Sequence, residues 1–94
     1  RLELVVLVSS LAAVAGGVGM GAYAAANSFL DAVARRQRGG ATTWLSINWE
    51  GWAFGDEPQG ALRLALTPDE GADAFRRALG YDMGPQLLVS TAAL

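Results

Sequence analysis

Apolar residues run without interruption from Leu4 to Val8, and the run breaks at Ser9 and Ser10. A short continuous apolar stretch is the pattern of a strand buried on both faces of a parallel sheet. Glycines crowd the next segment, at Gly16, Gly17, Gly19 and Gly21, and predict a loop. The period then changes. From about Ala22 to Arg38, the apolar Phe29, Leu30 and Val33 fall at helical spacing. Arg35, Arg36 and Arg38, followed by Gly39 and Gly40, put cations in the last turn and glycine just past it. Both are helix stop signals. Thr42 to Ile47 is rich in β-branched and aromatic residues and predicts a second strand.

From Asn48 to Leu66 no period holds; Trp49, Trp52, Phe54, Gly55, Pro58 and Gly60 punctuate the stretch. Loops this long within a compact domain tend to be functional, so a lid is expected over about 49–66. A short helix is expected near Ala61–Leu66. Thr67-Pro68-Asp69-Glu70 is a helix start: Thr as N-cap, Pro at the first helical position, Glu completing a capping box. That helix is predicted to reach about Leu79, with Ala72, Phe75 and Leu79 on one face, and to stop at Gly80. Gln86–Ser90 reads as a last short strand. The order β-α-β-lid-α-β predicts an α/β fold with parallel strands and right-handed crossovers. The chain shows no internal repeat and no low-complexity tract.

Ser10 precedes Tyr23 by thirteen residues, and Asn27 follows Tyr23 by four. Tyr23 and Asn27, at i and i+4, share one helix face. A serine at a strand's carboxyl end can face that helix's first turn. Three polar groups then converge at the sheet edge where open α/β folds bind ligands. Taken singly, each has a plainer role. Tyr23 suits half-buried packing, Asn27 can bridge a backbone group, and Ser10 suits a turn. Gly17-x-Gly19-x-x-Ala22 matches a dinucleotide fingerprint only in its permissive form, and lies too far beyond the strand for the tight turn that motif needs. Trp49 and Trp52 suit either a substrate groove or a cover for the sheet edge. Asp69 and Glu70 are explained as helix-start charges and the arginines as a solvated helix end.

Composition narrows the classes. Ninety-four residues allow one small domain, and 52% hydrophobic residues are too many for a disordered chain. A net charge of −2 gives no pull toward nucleic acid or an anionic membrane. With neither Cys nor His, the usual thiolate and imidazole metal ligands are missing, and no metal is expected. All seven basic residues are Arg. Residues 4–30 carry no charge, long enough to span a bilayer. The clustered glycines, two serines, Tyr23 and Asn27 argue against a continuous spanning helix, so no membrane partner is expected.

The segments Val6-Leu-Val-Ser-Ser-Leu11, Gly16-Gly-Val-Gly-Met-Gly-Ala-Tyr-Ala-Ala-Ala-Asn-Ser-Phe-Leu-Asp31, Ile47-Asn-Trp-Glu-Gly-Trp52 and Leu66-Thr-Pro-Asp-Glu-Gly-Ala72 together carry a resemblance. The chain resembles the second half of a ketoreductase domain from a modular polyketide synthase, a branch of the short-chain dehydrogenase/reductases. Ordinary members of that superfamily carry Tyr-x-x-x-Lys. Asn27 departs from that pattern and agrees with the polyketide branch, which takes its lysine from an earlier segment.

The resemblance implies the C-terminal part of a Rossmann-like parallel sheet with flanking helices, residues 1–94 forming the catalytic half of one domain. The cofactor-binding half is expected before Arg1. It implies an NADPH-dependent oxidoreductase that reduces a β-ketoacyl group to a β-hydroxyl. The substrate rides on the phosphopantetheine arm of an acyl carrier protein, beside other synthase domains, in the cytoplasm. Ser10, Tyr23 and Asn27 become catalytic, Trp49, Trp52 and Met20 substrate-binding, and Asn48 cofactor-binding. Hydride reaches the carbonyl carbon while tyrosine protonates, and serine hydrogen-bonds, the oxygen. Free Tyr titrates near 10, and lowering that by about three units takes roughly 4 kcal/mol, which the family's lysine largely supplies. In this branch a Trp eight residues before the tyrosine and a His three before mark stereochemical classes. Here those positions are Ala15 and Met20, which leans toward a D-configured hydroxyl. The piece alone is expected to be inactive and to associate with itself or its missing half. A free-standing short-chain reductase and a non-catalytic scaffold of a synthase module are the alternatives.

Overall fold

The structure, a computed structural model, describes residues 2–15, 21–52, 65–80 and 84–91. Its elements are β1 (Leu4–Ser10), α1 (Ala12–Ala15), α2 (Gly21–Arg36), β2 (Thr43–Trp49), α3 (Pro68–Gly80) and β3 (Gln86–Val89). The strands form one parallel sheet in the order β1-β2-β3. Parallel neighbours in chain order need crossovers, and α2 and α3 supply them. The α/β fold with parallel strands is therefore present as expected.

Register fixes which side chains share a face. Val6 pairs with Leu45, Val8 with Ile47, Ser9 with Asn48 and Ser10 with Trp49. Successive residues alternate between faces, so Leu45, Ile47 and Trp49 lie on one side and Ser46 and Asn48 on the other. Leu45 and Ile47 pack with Ala78 of α3, joined by Val6, Trp49, Leu87 and Val89. Ser46 and Asn48 instead bond to Asp31 of α2. The two helices thus cover opposite faces, an apolar core under α3 and a polar layer under α2. With strands in the order β1-β2-β3 this gives the two crossovers opposite hands, so the expectation of right-handed crossovers fails for one of them.

This division of layers decides which face of each helix turns inward. Phe29, Leu30 and Val33 fall at helical spacing in α2 but are not its buried residues. The structure buries Asn27, Asp31 and Ala34 and leaves Phe29 68% exposed. The stripe turned inward matches the polar sheet face it covers. In α3 the buried residues are Gly71 and Ala78, while Leu79 is exposed. The lid stretch also differs at its ends. β2 continues through Asn48 and Trp49, and Leu66 forms a parallel bridge with Trp52 rather than a helical turn. Residues 53–64, with most of the expected lid, lie outside the described residues.

The helix starts behave as the sequence predicts. Thr67 N–H donates to Glu70 Oε1 at 2.9 Å, and Glu70 N–H donates to Thr67 Oγ1 at 3.2 Å, the two halves of a capping box. α1 was not foreseen. Ser10 Oγ accepts from Ala12 N–H at 3.1 Å and opens this turn of good helix formers. β1 pairs only with β2 among the described residues, and Leu4 and Val8 are exposed rather than buried on both faces.

Candidate functional site

The carboxyl ends of β1 and β2 open into a groove of about 620 Å³. Ser10, Tyr23, Trp49 and Trp52 all line it, together with Phe75 of α3. Residues from separate elements therefore converge where the topology of an α/β sheet places ligands. The aromatic wall is ordered by its own contacts. Trp49 and Trp52 stack edge to face with centroids 5.1 Å apart, and Phe75 lies 6.5 Å from Trp49. Behind Trp52 sits Gly71, where an added Cβ would fall onto the indole's six-membered ring.

The two hydroxyl groups are presented differently. Ser10 Oγ accepts the Ala12 N–H, and an accepting hydroxyl keeps its own proton to donate. The Ser10–Leu11 peptide is held at both ends. Its N–H donates to Trp49 O at 3.0 Å, and its carbonyl accepts from Asn48 Nδ2 at 3.0 Å. Tyr23 stands in the first turn of α2, 52% exposed, with solvent in reach of its ring.

Asn27 lies one turn behind Tyr23, buried, and does not line the groove. Its Nδ2 donates to Tyr23 O at 2.9 Å, and its own carbonyl accepts from Ser9 Oγ at 3.2 Å. Asn48, expected at the cofactor, has a fully enclosed side chain. Its Nδ2 faces Asp31 Oδ2 at 2.8 Å, Ser10 O at 3.0 Å and Ser9 Oγ at 3.3 Å, and its Oδ1 accepts from Gln86 Nε2 at 2.9 Å. In this structure its side-chain amide is taken up by protein groups. Met20 lies outside the described residues, as does most of the Gly-rich loop.

Sequence reasoning missed Ser9, Asp31, Ser46 and Gln86. Asp31 is 3% exposed, and each carboxylate oxygen has a donor: Ser46 Oγ at 2.6 Å and Asn48 Nδ2 at 2.8 Å. Asp31 follows Asn27 by four residues, and Ser46 and Asn48 alternate along β2. A polar stripe at helical spacing facing a polar strand face was the signal available. Among the described residues no cluster of metal-ligating side chains occurs, and no helix is long and apolar enough to cross a membrane.

The sequence profile described as KR domain matches residues 1–54. The chain is 42% identical over 89 residues to pikromycin polyketide synthase component PikAII of Streptomyces venezuelae, covering 86% of this chain and 2% of that one. It is 44% identical over 78 residues to a mycocerosic acid synthase-like polyketide synthase of Mycolicibacterium smegmatis, covering 79% of this chain and 4% of that one. The first ketoreductase of the tylosin PKS superposes with a TM-score of 0.79 at 36% identity, over 95% of this chain and 21% of that one. A C2-type ketoreductase from a modular polyketide synthase gives 0.78 at 35% identity, over 93% and 21%. The chain thus spans a few hundredths of these curated relatives and about a fifth of the solved ketoreductases.

Proposed function

This chain belongs to the KR domain family, and on that premise we propose that it forms the C-terminal, catalytic half of an NADPH-dependent β-ketoacyl reductase in a polyketide synthase. One observation carries the proposal: Ser10 and Tyr23, far apart in sequence, line one aromatic-walled groove at the carboxyl edge of a parallel sheet. The residues present fit the carbonyl end of such a reaction, two hydroxyls with a wall for an acyl chain. They do not include a lysine for the nicotinamide ribose, because the chain has none.

Bound nicotinamide supplies the hydride. The rest falls to this chain. The substrate carbonyl oxygen accepts a hydrogen bond from the Ser10 hydroxyl. As the carbon takes the hydride and its π bond to oxygen breaks, the Tyr23 hydroxyl gives its proton to that oxygen. The ketone becomes an alcohol and Tyr23 is left as phenolate. Its exposure lets water return the proton. Trp49, Trp52 and Phe75 would flank the acyl chain, and Asn27 would hold the first turn of α2 through Tyr23 O. The acyl chain arrives on the phosphopantetheine arm of an acyl carrier protein, in the cytoplasm, with the nucleotide phosphates held by sequence outside these 94 residues.

The test is reduction of a β-ketoacyl thioester by the full gene product with NADPH. Tyr23→Phe is expected to lower kcat by about 10²–10⁴-fold with the fold intact, because it removes one positioned proton donor. A mutant at the wild-type rate overturns the role of Tyr23. Chiral chromatography of the same product is expected to show the D-configured alcohol, and an L-configured main product rules that assignment out. A wild-type protein that folds yet neither binds NADPH nor turns over is a scaffold instead.

A further inference from the structure

The polar layer between α2 and the sheet does more than fill space. Asn48 Nδ2 carries two hydrogens and faces three acceptors, of which Asp31 Oδ2 and Ser10 O are the nearer. Turning the amide over would set Oδ1 against the Asp31 carboxylate and the Ser10 carbonyl, so the surroundings enforce one orientation. Gln86 Nε2 locks it from the other side. Asp31 lies on α2 eight residues after Tyr23, little more than two turns along the same rod. A chain of buried hydrogen bonds therefore runs from the helix bearing Tyr23, through Asp31 and Asn48, to the carbonyl of Ser10.

Asn48 and Asp31, we propose, are positioning residues that set the Ser10 hydroxyl against the Tyr23 hydroxyl, an inference that rests on the ketoreductase reading above. Neither lines the groove. They act through the Ser10–Leu11 peptide, whose carbonyl Asn48 holds while Trp49 O holds its N–H. With that carbonyl released, the serine can pivot. The bond it offers to the developing oxyanion then lengthens or misaligns. Substrate binding, which depends on the aromatic wall, is unaffected.

The network contains its own control. Ser46 donates to the other oxygen of Asp31 at 2.6 Å, is equally buried, and bonds to nothing in the groove. Ser46→Ala should therefore weaken the fold as a lost buried hydrogen bond does, without moving Ser10.

The full gene product is assayed with a β-ketoacyl thioester and NADPH, and its melting temperature is measured alongside. Asn48→Ala is expected to lower kcat by about 10- to 100-fold with KM within about twofold, since small misplacements of a catalytic group act on the chemical step. Ser46→Ala is expected to lower the melting temperature while keeping kcat within about twofold. The exchange Asp31→Asn with Asn48→Asp keeps one carboxylate, one amide and the Gln86 bond. It should recover folding even where Asn48→Ala does not fold. It sets an acceptor against the Ser10 carbonyl, so kcat should stay low. The proposal is overturned if kcat follows the melting temperature across the set, with Ser46→Ala as slow as Asn48→Ala or the exchange restoring the rate. Tyr23→Phe separates the two levels. If it reacts at the wild-type rate, the catalytic role of Tyr23 fails, and a folded wild-type protein that does not turn over sinks the ketoreductase reading itself. If Tyr23→Phe is inactive while Asn48→Ala keeps full kcat, the positioning role alone fails.

Discussion

Gly71→Ala is a substitution whose usual sign should invert. Gly71 is the fourth residue of α3, and its N–H donates to Thr67 O at 2.9 Å as the helix's first internal bond. In an exposed helix, Ala in place of Gly gains about 1 kcal/mol. Here the new Cβ would sit 2.6 Å from Trp52 Cζ3 and closer still to Cη2 and Cζ2. Carbon atoms rest about 3.5–4.0 Å apart, so the indole must retreat by about 1 Å. Overpacking of this kind costs about 1–3 kcal/mol, and moving Trp52 also disturbs its edge-to-face contact with Trp49, worth about 0.5–1.5 kcal/mol. The balance is a net loss of about 1–2 kcal/mol. Gly21 and Gly80, at helix ends with nothing within 4 Å of an added Cβ, serve as controls. Alanine there should be neutral or stabilising. Urea denaturation of the three variants measures the difference. Because Trp52 walls the groove, Gly71→Ala should also raise KM for the ketone more than it lowers kcat. A Gly71→Ala protein as stable as the controls would refute the close packing of Trp52 on α3.

Thr67→Ala removes the acceptor of the capping box and should cost about 1 kcal/mol in denaturant titration, with kcat unchanged because α3 lines the groove with Ala72 and Phe75, beyond its first turn. The 94-residue chain on its own should self-associate, since among the described residues β1 pairs along one edge only, with Val8 70% exposed, and Phe29 of α2 is 68% exposed. Sedimentation velocity checks this: association that rises with concentration and falls in Val8→Lys is expected, and a clean monomer throughout contradicts it.

Local chemistry was legible and non-local chemistry was not. The capping box at Thr67 needs only four consecutive residues, and the structure forms both of its bonds. The ends of β1 and β2 ran past their expected limits, because Ser9↔Asn48 and Ser10↔Trp49 are pairings the strands impose on each other. The convergence of Ser10 with Tyr23 was legible as a spacing inside a strand–loop–helix unit. The burial of Asn48 was not. A lone polar residue at a strand's carboxyl end looks the same whether it meets a ligand or a buried carboxylate, until the facing helix is known. The inward stripe of α2 was not legible for a related reason. Phe29, Leu30 and Val33 satisfy the period, yet the sheet face opposite carries Ser9, Ser46 and Asn48, which α2 meets with the Asp31 carboxylate and the main-chain carbonyl of Asn27.

The two faces of β2 therefore specify the site by different physics. Under α3, burial of Leu45, Ile47 and Ala78 supplies attraction that is not directional, and the helix could slide a little at small cost. Under α2 the contacts are hydrogen bonds, and these weaken steeply with misalignment. A slip of β1 by one residue would carry Ser9 to the other face and move the Ser10 carbonyl away from Asn48 Nδ2. A buried polar layer is a poor way to gain stability, since matched apolar side chains often do as well or better. It does select one register among several that an apolar layer would tolerate. Tyr23 rides on the helix so registered and Ser10 ends the strand so registered. The acid and the carbonyl-binding hydroxyl inherit their relative position from the least apolar part of the interior.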